Sequence, residues 1–81
     1  MIVCVKLFAA ARQIAQRDAV EIELADGANV GDLRRQMAAT MPELADLLGH
    51  VLFAIDSEYA DDPTKIPAGA DIACIPPVSG G

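Results

Sequence analysis

Hydrophobic and polar positions alternate almost from the start of the chain. Ile2 to Phe8 puts Val3, Val5 and Leu7 on one side and Ile2, Cys4, Lys6 and Phe8 on the other, which predicts a strand whose Lys6 side is the wetter. Ala9 to Gln16 collects helix formers ahead of Asp18 and predicts a short helix or turn. Val20, Ile22 and Leu24 then alternate with Glu21, Glu23 and Ala25, a half-buried strand that Asp26-Gly27 stops. Asn29 is a good helix N-cap, Asp32 at N3 favours the helix dipole, and Val30, Leu33, Met37 and Met41 recur at helical spacing. Pro42 ends this amphipathic helix, because the residue before a proline is pushed out of the helical region. Glu43 to Leu48 predicts another short turn, closed by Gly49. Val51 to Asp56 reads as a third strand, Ser57 to Gly69 as a loop-rich stretch with a short edge strand near Lys65, and Asp71 to Ile75 as the last strand. Pro76-Pro77 ends that ladder, since proline has no N–H to donate.

The order strand, strand, helix, strand, strand predicts an α+β domain, a mixed sheet with one main helix across one face, which is the description of a β-grasp. Residues 1–75 would form the single domain and residues 76–81 an extended C-terminal tail. The chain is 53% hydrophobic, but it has 15 alanines, no Trp and only 4% aromatic residues, so its core is expected to be thin. A domain of this size buries only about 60% of its unfolded surface, which makes partner binding a natural supplement to stability. Twelve acidic against six basic residues give a net charge of −6, the wrong sign for neutralising phosphates. Nucleic acid and anionic membranes are therefore not expected partners. Apolar runs such as Ile2 to Val5 and Leu7 to Ala11 are too short for a membrane span or a signal peptide, so a soluble cytoplasmic protein is expected.

Most of the chemistry-bearing residues read blandly. Cys4 and Cys74 stand far apart with no neighbouring ligand, so they predict two small hydrophobes in strands and no metal site. His50 predicts an exposed loop histidine, and Asp56, Glu58, Asp61 and Asp62 predict a solvated acidic loop. No phosphate loop, nucleophile elbow or zinc-protease motif is present, so a free-standing enzyme is not expected. The tail differs. A chain ends in two glycines by chance about once in 200, and here the pair follows Pro76, Pro77, Val78 and Ser79. Prolines stiffen such a segment into an extended arm that reaches roughly 20 Å from the sheet. Gly80 and Gly81 carry no Cβ, so their backbone can enter a narrow channel and leave the terminal carbonyl carbon open to attack. A carboxylate is a poor electrophile and needs activation, for example as an acyl-adenylate, before a sulfur nucleophile can displace a leaving group. Strand parity adds a second feature: if Lys6 and Asp71 face away from the helix, then Phe8, Ile75, Leu52 and Ala54 do too, with Tyr59 just beyond. An apolar docking patch beside the tail is expected, or else a minor core beneath the Ser57 to Gly69 loop.

These residues together resemble the ubiquitin-like sulfur carriers, the family of the small subunit of molybdopterin synthase, along nearly the whole chain. The likeness lies in Val5-Lys6-Leu7-Phe8-Ala9 with Arg12, Val30-Gly31-Asp32-Leu33-Arg34, Ala54-Ile55-Asp56, and Gly69-Ala70-Asp71-Ile72-Ala73 leading into Pro76-Pro77-Val78-Ser79-Gly80-Gly81. The family usually has Asp at Ala70, Asn at Asp56 and a glycine near Arg17, departures that touch turns and leave the tail unaffected. The resemblance implies a β-grasp whose Gly81 is adenylated by an ATP-dependent activating enzyme and converted to a thiocarboxylate. Its sulfur would then go to cyclic pyranopterin monophosphate in the large subunit's active site, forming the molybdopterin dithiolene. No cofactor would be bound permanently, and the catalytic side chains would belong to the large subunit. The resemblance also implies a heterotetramer of two small and two large subunits, with Phe8, Tyr59 and Ile75 at the interface and Pro76, Pro77, Val78, Ser79 and Gly80 in the inserted tail. A related carrier feeding thiazole or cysteine synthesis, a lysine-linked modifier and a non-reactive binding module are the alternatives.

Overall fold

Exposed and buried residues alternate without a break along β1 (Ile2–Leu7), and again along β2 (Ala19–Glu23), in the computed structural model, which describes residues 1–77. The two strands pair antiparallel, Val5 opposite Val20, through the short helix α1 (Ala9–Ala15) that the alanine-rich segment predicts. The left-handed Gln16 closes α1. The main helix, α2 (Val30–Thr40), opens with a complete capping box. Asn29 Oδ1 accepts from the Asp32 N–H at 2.8 Å, and Asp32 Oδ2 accepts from the Asn29 N–H at 3.0 Å. That backbone donor holds the Asp32 carboxyl below its ordinary value, with Arg35 adding to the effect. Pro42 begins a 3₁₀ turn (Pro42–Leu44) that runs into α3 (Ala45–Leu48); Gly49 follows at φ −66°, an ordinary right-handed residue and not a left-handed cap.

The remaining strands are β3 (Leu52–Ile55), β4 (Glu58–Ala60) and β5 (Asp71–Ile75), and the sheet order is β2-β1-β5-β3-β4. The last strand thus lies in the centre, parallel to β1 and antiparallel to β3. This is the expected mixed α+β sheet, with two corrections. The strand expected near Lys65 is a single bridge from Lys65 to Asn29, and the edge strand is β4, a hairpin partner of β3. Asp56 and Ser57 form the two-residue turn between them at φ 48° and 73°, the double left-handed geometry that suits the right-handed twist of a hairpin.

One face of the sheet holds the core, where Val3, Val5, Leu7, Phe53, Ile72 and Cys74 pack with Val30, Leu33, Met37, Leu44 and Leu48. The segment 61–66 contains no strand of its own and docks on the start of α2. Val30 N–H donates to Thr64 C=O, Gly31 N–H to Asp62 C=O and Ile66 N–H to Ala28 C=O, at 2.9–3.0 Å. Helix donors that have no partner within the helix are thereby satisfied. Arg34 fastens the same region: its guanidinium donates to Leu48 C=O at 2.5 Å, Val51 C=O at 2.9 Å and the Asp62 carboxylate at 2.8 Å, and it lies 5.1 Å from the Phe53 ring centre. Among the described residues, no helix is long and apolar enough to cross a membrane.

Candidate functional site

The face opposite the helices carries the site, and strand register fixes its layout. Lys6 stands beside Ala73, Ala73 beside Ala54, and Ala54 beside Tyr59, forming a row across four strands. One step toward the end where β5 leaves the sheet, Ile75 stands beside Leu52, and the Phe8 N–H donates to Cys74 C=O at 3.3 Å. Ala9 follows at φ 50°, so the chain bends away from the sheet directly after Phe8. One step the other way, Cys4 stands between Glu21 and Asp71.

Phe8, Ala54, Ser57, Tyr59, Ala73 and Ile75 line a groove of about 360 Å³. Among the described residues its surface is open: Tyr59 is 71% exposed, neighbouring Leu52 53% and Phe8 46%, so the Ser57 to Gly69 loop does not cover the patch as a minor core. The floor is Ala54, which is buried yet stands apart from the main core. The parity expectation holds for Phe8, Leu52, Ala54 and Ile75, and Tyr59 joins them because β4 is a strand. Exposing large apolar side chains costs a small acidic domain solubility, which marks such a patch as a surface for a partner.

A second lobe of about 210 Å³ continues the groove away from the tail; it shares Phe8, Ala54, Ser57 and Ala73 with the first and adds Lys6, Asp56, Asp71 and Ile72, so that charged groups join an apolar floor. Asp56 and Asp71, 15 positions apart, meet because the hairpin turn folds back: the Asp71 N–H donates to Asp56 Oδ1 at 3.0 Å, and the Asp56 N–H donates to Asp71 C=O at 2.8 Å. Sequence reasoning missed this pairing, since it depends on where β3 stops.

The other singled-out residues separate. Pro76 is buried and Pro77 exposed, so the described chain first leaves the domain surface at Pro77. Val78, Ser79, Gly80 and Gly81, the remainder of the expected 76–81 tail, lie outside the described residues. Cys74 is a core hydrophobe as expected, and burial pushes its thiol up to about 11, with the Arg34 charge opposing. Cys4 also lies in a strand, exposed on the Lys6 side of β1 as the alternation predicts. His50 and the carboxylates of residues 56–62 are exposed, and among the described residues no group of three or more ligating side chains could hold a metal ion.

A mixed sheet of this order, with its last strand in the centre and the helices on one face, is the architecture of a ubiquitin-like β-grasp domain. The chain belongs to the ThiS family, whose model matches residues 5–81. It is 37% identical over 76 residues to the molybdopterin synthase sulfur carrier subunit of Chlamydomonas reinhardtii, covering 91% of this chain and 92% of that one. Among solved structures it resembles the small archaeal modifier protein 1 of Haloferax volcanii, with a TM-score of 0.86 and 27% identity over the whole of both chains. It also resembles a chain in the complex of subunits 1 and 2 of the molybdopterin-converting factor from Helicobacter pylori, with a TM-score of 0.70 and 26% identity over the whole of both.

Proposed function

We propose that this chain is the sulfur carrier of a molybdopterin synthase, loaded at Gly81 and docked through the Phe8, Tyr59 and Ile75 groove onto the large subunit. The observation that supports this reading is the place of the groove, which borders Ile75 at the end of β5, directly before the Pro76-Pro77 segment that leads toward Gly81. The similarity to sulfur carrier subunits named for molybdopterin synthase, and to a chain in a complex of both converting-factor subunits, supports the choice of partner.

The chemistry follows from the terminus. A Gly81 carboxylate oxygen attacks the α-phosphorus of ATP in an activating enzyme and pyrophosphate leaves. Hydrosulfide adding at the acyl carbon with loss of AMP gives the thiocarboxylate directly. A donor persulfide gives an acyl disulfide, whose S–S bond a second thiol then breaks, leaving the thiocarboxylate and a disulfide between donor and thiol. Among the described residues this chain brings no side chain to these steps. Its contribution is positional: the groove holds the domain, Pro76 and Pro77 fix the direction of departure, and glycines admit the backbone to a narrow channel. In the assembly, two carriers would serve two large subunits.

Intact mass after incubation with ATP, a sulfur donor and the activating enzyme is the test. A gain equal to replacing one oxygen by sulfur is expected, and Gly81 deletion should abolish it without changing the fold. An unchanged mass with a demonstrably active enzyme would remove the carrier reading. A second reading, a modifier joined to lysines through Gly81, draws on the likeness to the small archaeal modifier protein 1 of Haloferax volcanii. It predicts higher-mass conjugates in a cell extract, where a carrier gives none.

A further inference from the structure

The two lobes of the outer-face groove ask for different things from whatever covers them. The lobe nearer the tail is apolar, and the farther one pairs carboxylates with an apolar floor. Asp56 and Asp71 together contribute two negative charges and Lys6 one positive, so the farther lobe is negative by one. Glu21, beside Cys4 in the next row, adds to the same sign. Among the described residues, none of Lys6, Glu21, Asp56 and Asp71 makes an ion pair. Asp56 accepts from the Asp71 N–H with one oxygen, and among the described residues the other has no hydrogen-bond partner.

We infer that the farther lobe receives an arginine side chain of the partner, its stem lying on Ala54 and Ala73 and its guanidinium bridging Asp56 and Asp71. This rests on the docking reading above and names the chemistry the partner must present. Space and charge both fit. A cavity of about 210 Å³ holds one long side chain, and a planar fork of donors matches two neighbouring carboxylates better than a compact ammonium does. An apolar stem under a charged head is how arginine covers small hydrophobic residues. A second copy of this chain is the weaker occupant, because with a net charge of −6 it would bring the same acidic lobe to a face already negative. The partner is therefore a protein whose docking surface is apolar next to its tail channel and basic beside it.

The experiment measures association with the large subunit of molybdopterin synthase from the same organism, at low and high ionic strength. The variant Asp56→Asn/Asp71→Asn is chosen because asparagine keeps an acceptor for the Asp71 N–H and tolerates the left-handed position at residue 56. Affinity should fall at least about tenfold in this variant and its salt dependence should flatten, with Glu43→Gln, remote from the groove, behaving as wild type. Unchanged affinity in the double variant would overturn the inference and leave the docking reading standing. A comparable loss caused by Lys6→Met alone, which would mean a partner carboxylate, would also overturn it. So would dimerisation of this chain through the same face in sedimentation. If the double variant did not fold, salt-independent association of the wild type would overturn it just as well. A wild type that does not bind the large subunit removes the docking reading and the inference together.

Discussion

Phe8 shows how position alone puts an apolar side chain on the proposed docking face. It continues the alternation of β1 onto the outer face, and the bend at Ala9 stops the chain from carrying it further. Since the side chain is already half in water, Phe8→Asp should leave the unfolding midpoint nearly unchanged. The same charge must be desolvated at an interface, so binding of the large subunit should weaken at least about tenfold; thermal unfolding and titration calorimetry on the variant and the wild type read the two effects. The two thiols make a contrasting pair. Cys4 should react quickly with a maleimide, whereas Cys74 should react only as the fold opens. Cys74 also makes stability depend on pH. Its folded value lies near 11 against an ordinary 9.0, so the protonated thiol is favoured by folding. The stabilisation is whole below pH 9 and is lost as pH rises toward 11, by roughly 2–3 kcal/mol at about 1.4 kcal/mol per pH unit. Urea unfolding at pH 8 and pH 11 should show a steeper fall in the wild type than in Cys74→Val.

At the scale of elements, legibility depended on whether the signal was local. Strands β1 and β2 and helix α2 announce themselves through alternation, 3.6-residue spacing and a cap, all contained in short windows. Strand β4 has only three residues, too few for a period, and its turn is Asp-Ser where a strong signal would be Asn-Gly. For the same reason Ser57→Gly should stabilise the hairpin: relief of the left-handed penalty outweighs the added freedom of the unfolded chain, for a net gain of about 0.5–1 kcal/mol in urea unfolding. Arg34 was visible as part of a motif but not as a staple, because its partners at Leu48, Val51 and Asp62 come from three separate segments. Replacing it by Met keeps the stem and removes the donors. The loss should be about 2–3 kcal/mol, and hydrogen exchange should rise in segment 61–66, which shares Asp62, more than in β1 and β2. The acidic lobe was illegible for the same reason, since the meeting of Asp56 with Asp71 depends on a hairpin that the sequence did not disclose.

For the whole molecule, division of labour between the two faces is the organising fact. The helices consume one face as core, which leaves the other free to carry apolar residues without loss of the fold, and this freedom made the groove predictable from parity before any partner was considered. The sheet order carries a different consequence. Strand β5 is inserted between β1 and β3, so a chain lacking it would be two separate hairpins rather than a trimmed sheet. Its edges would be unpaired on both sides of the gap, and a synthetic peptide beginning in the loop before Asp71 has the hydrogen-bonding pattern to close it. The molecule is in this sense divisible at the Pro67–Gly69 turn, and complementation of the two fragments offers a route by which a terminus of any chosen chemistry, a preformed thioacid included, enters the folded protein without enzymatic activation.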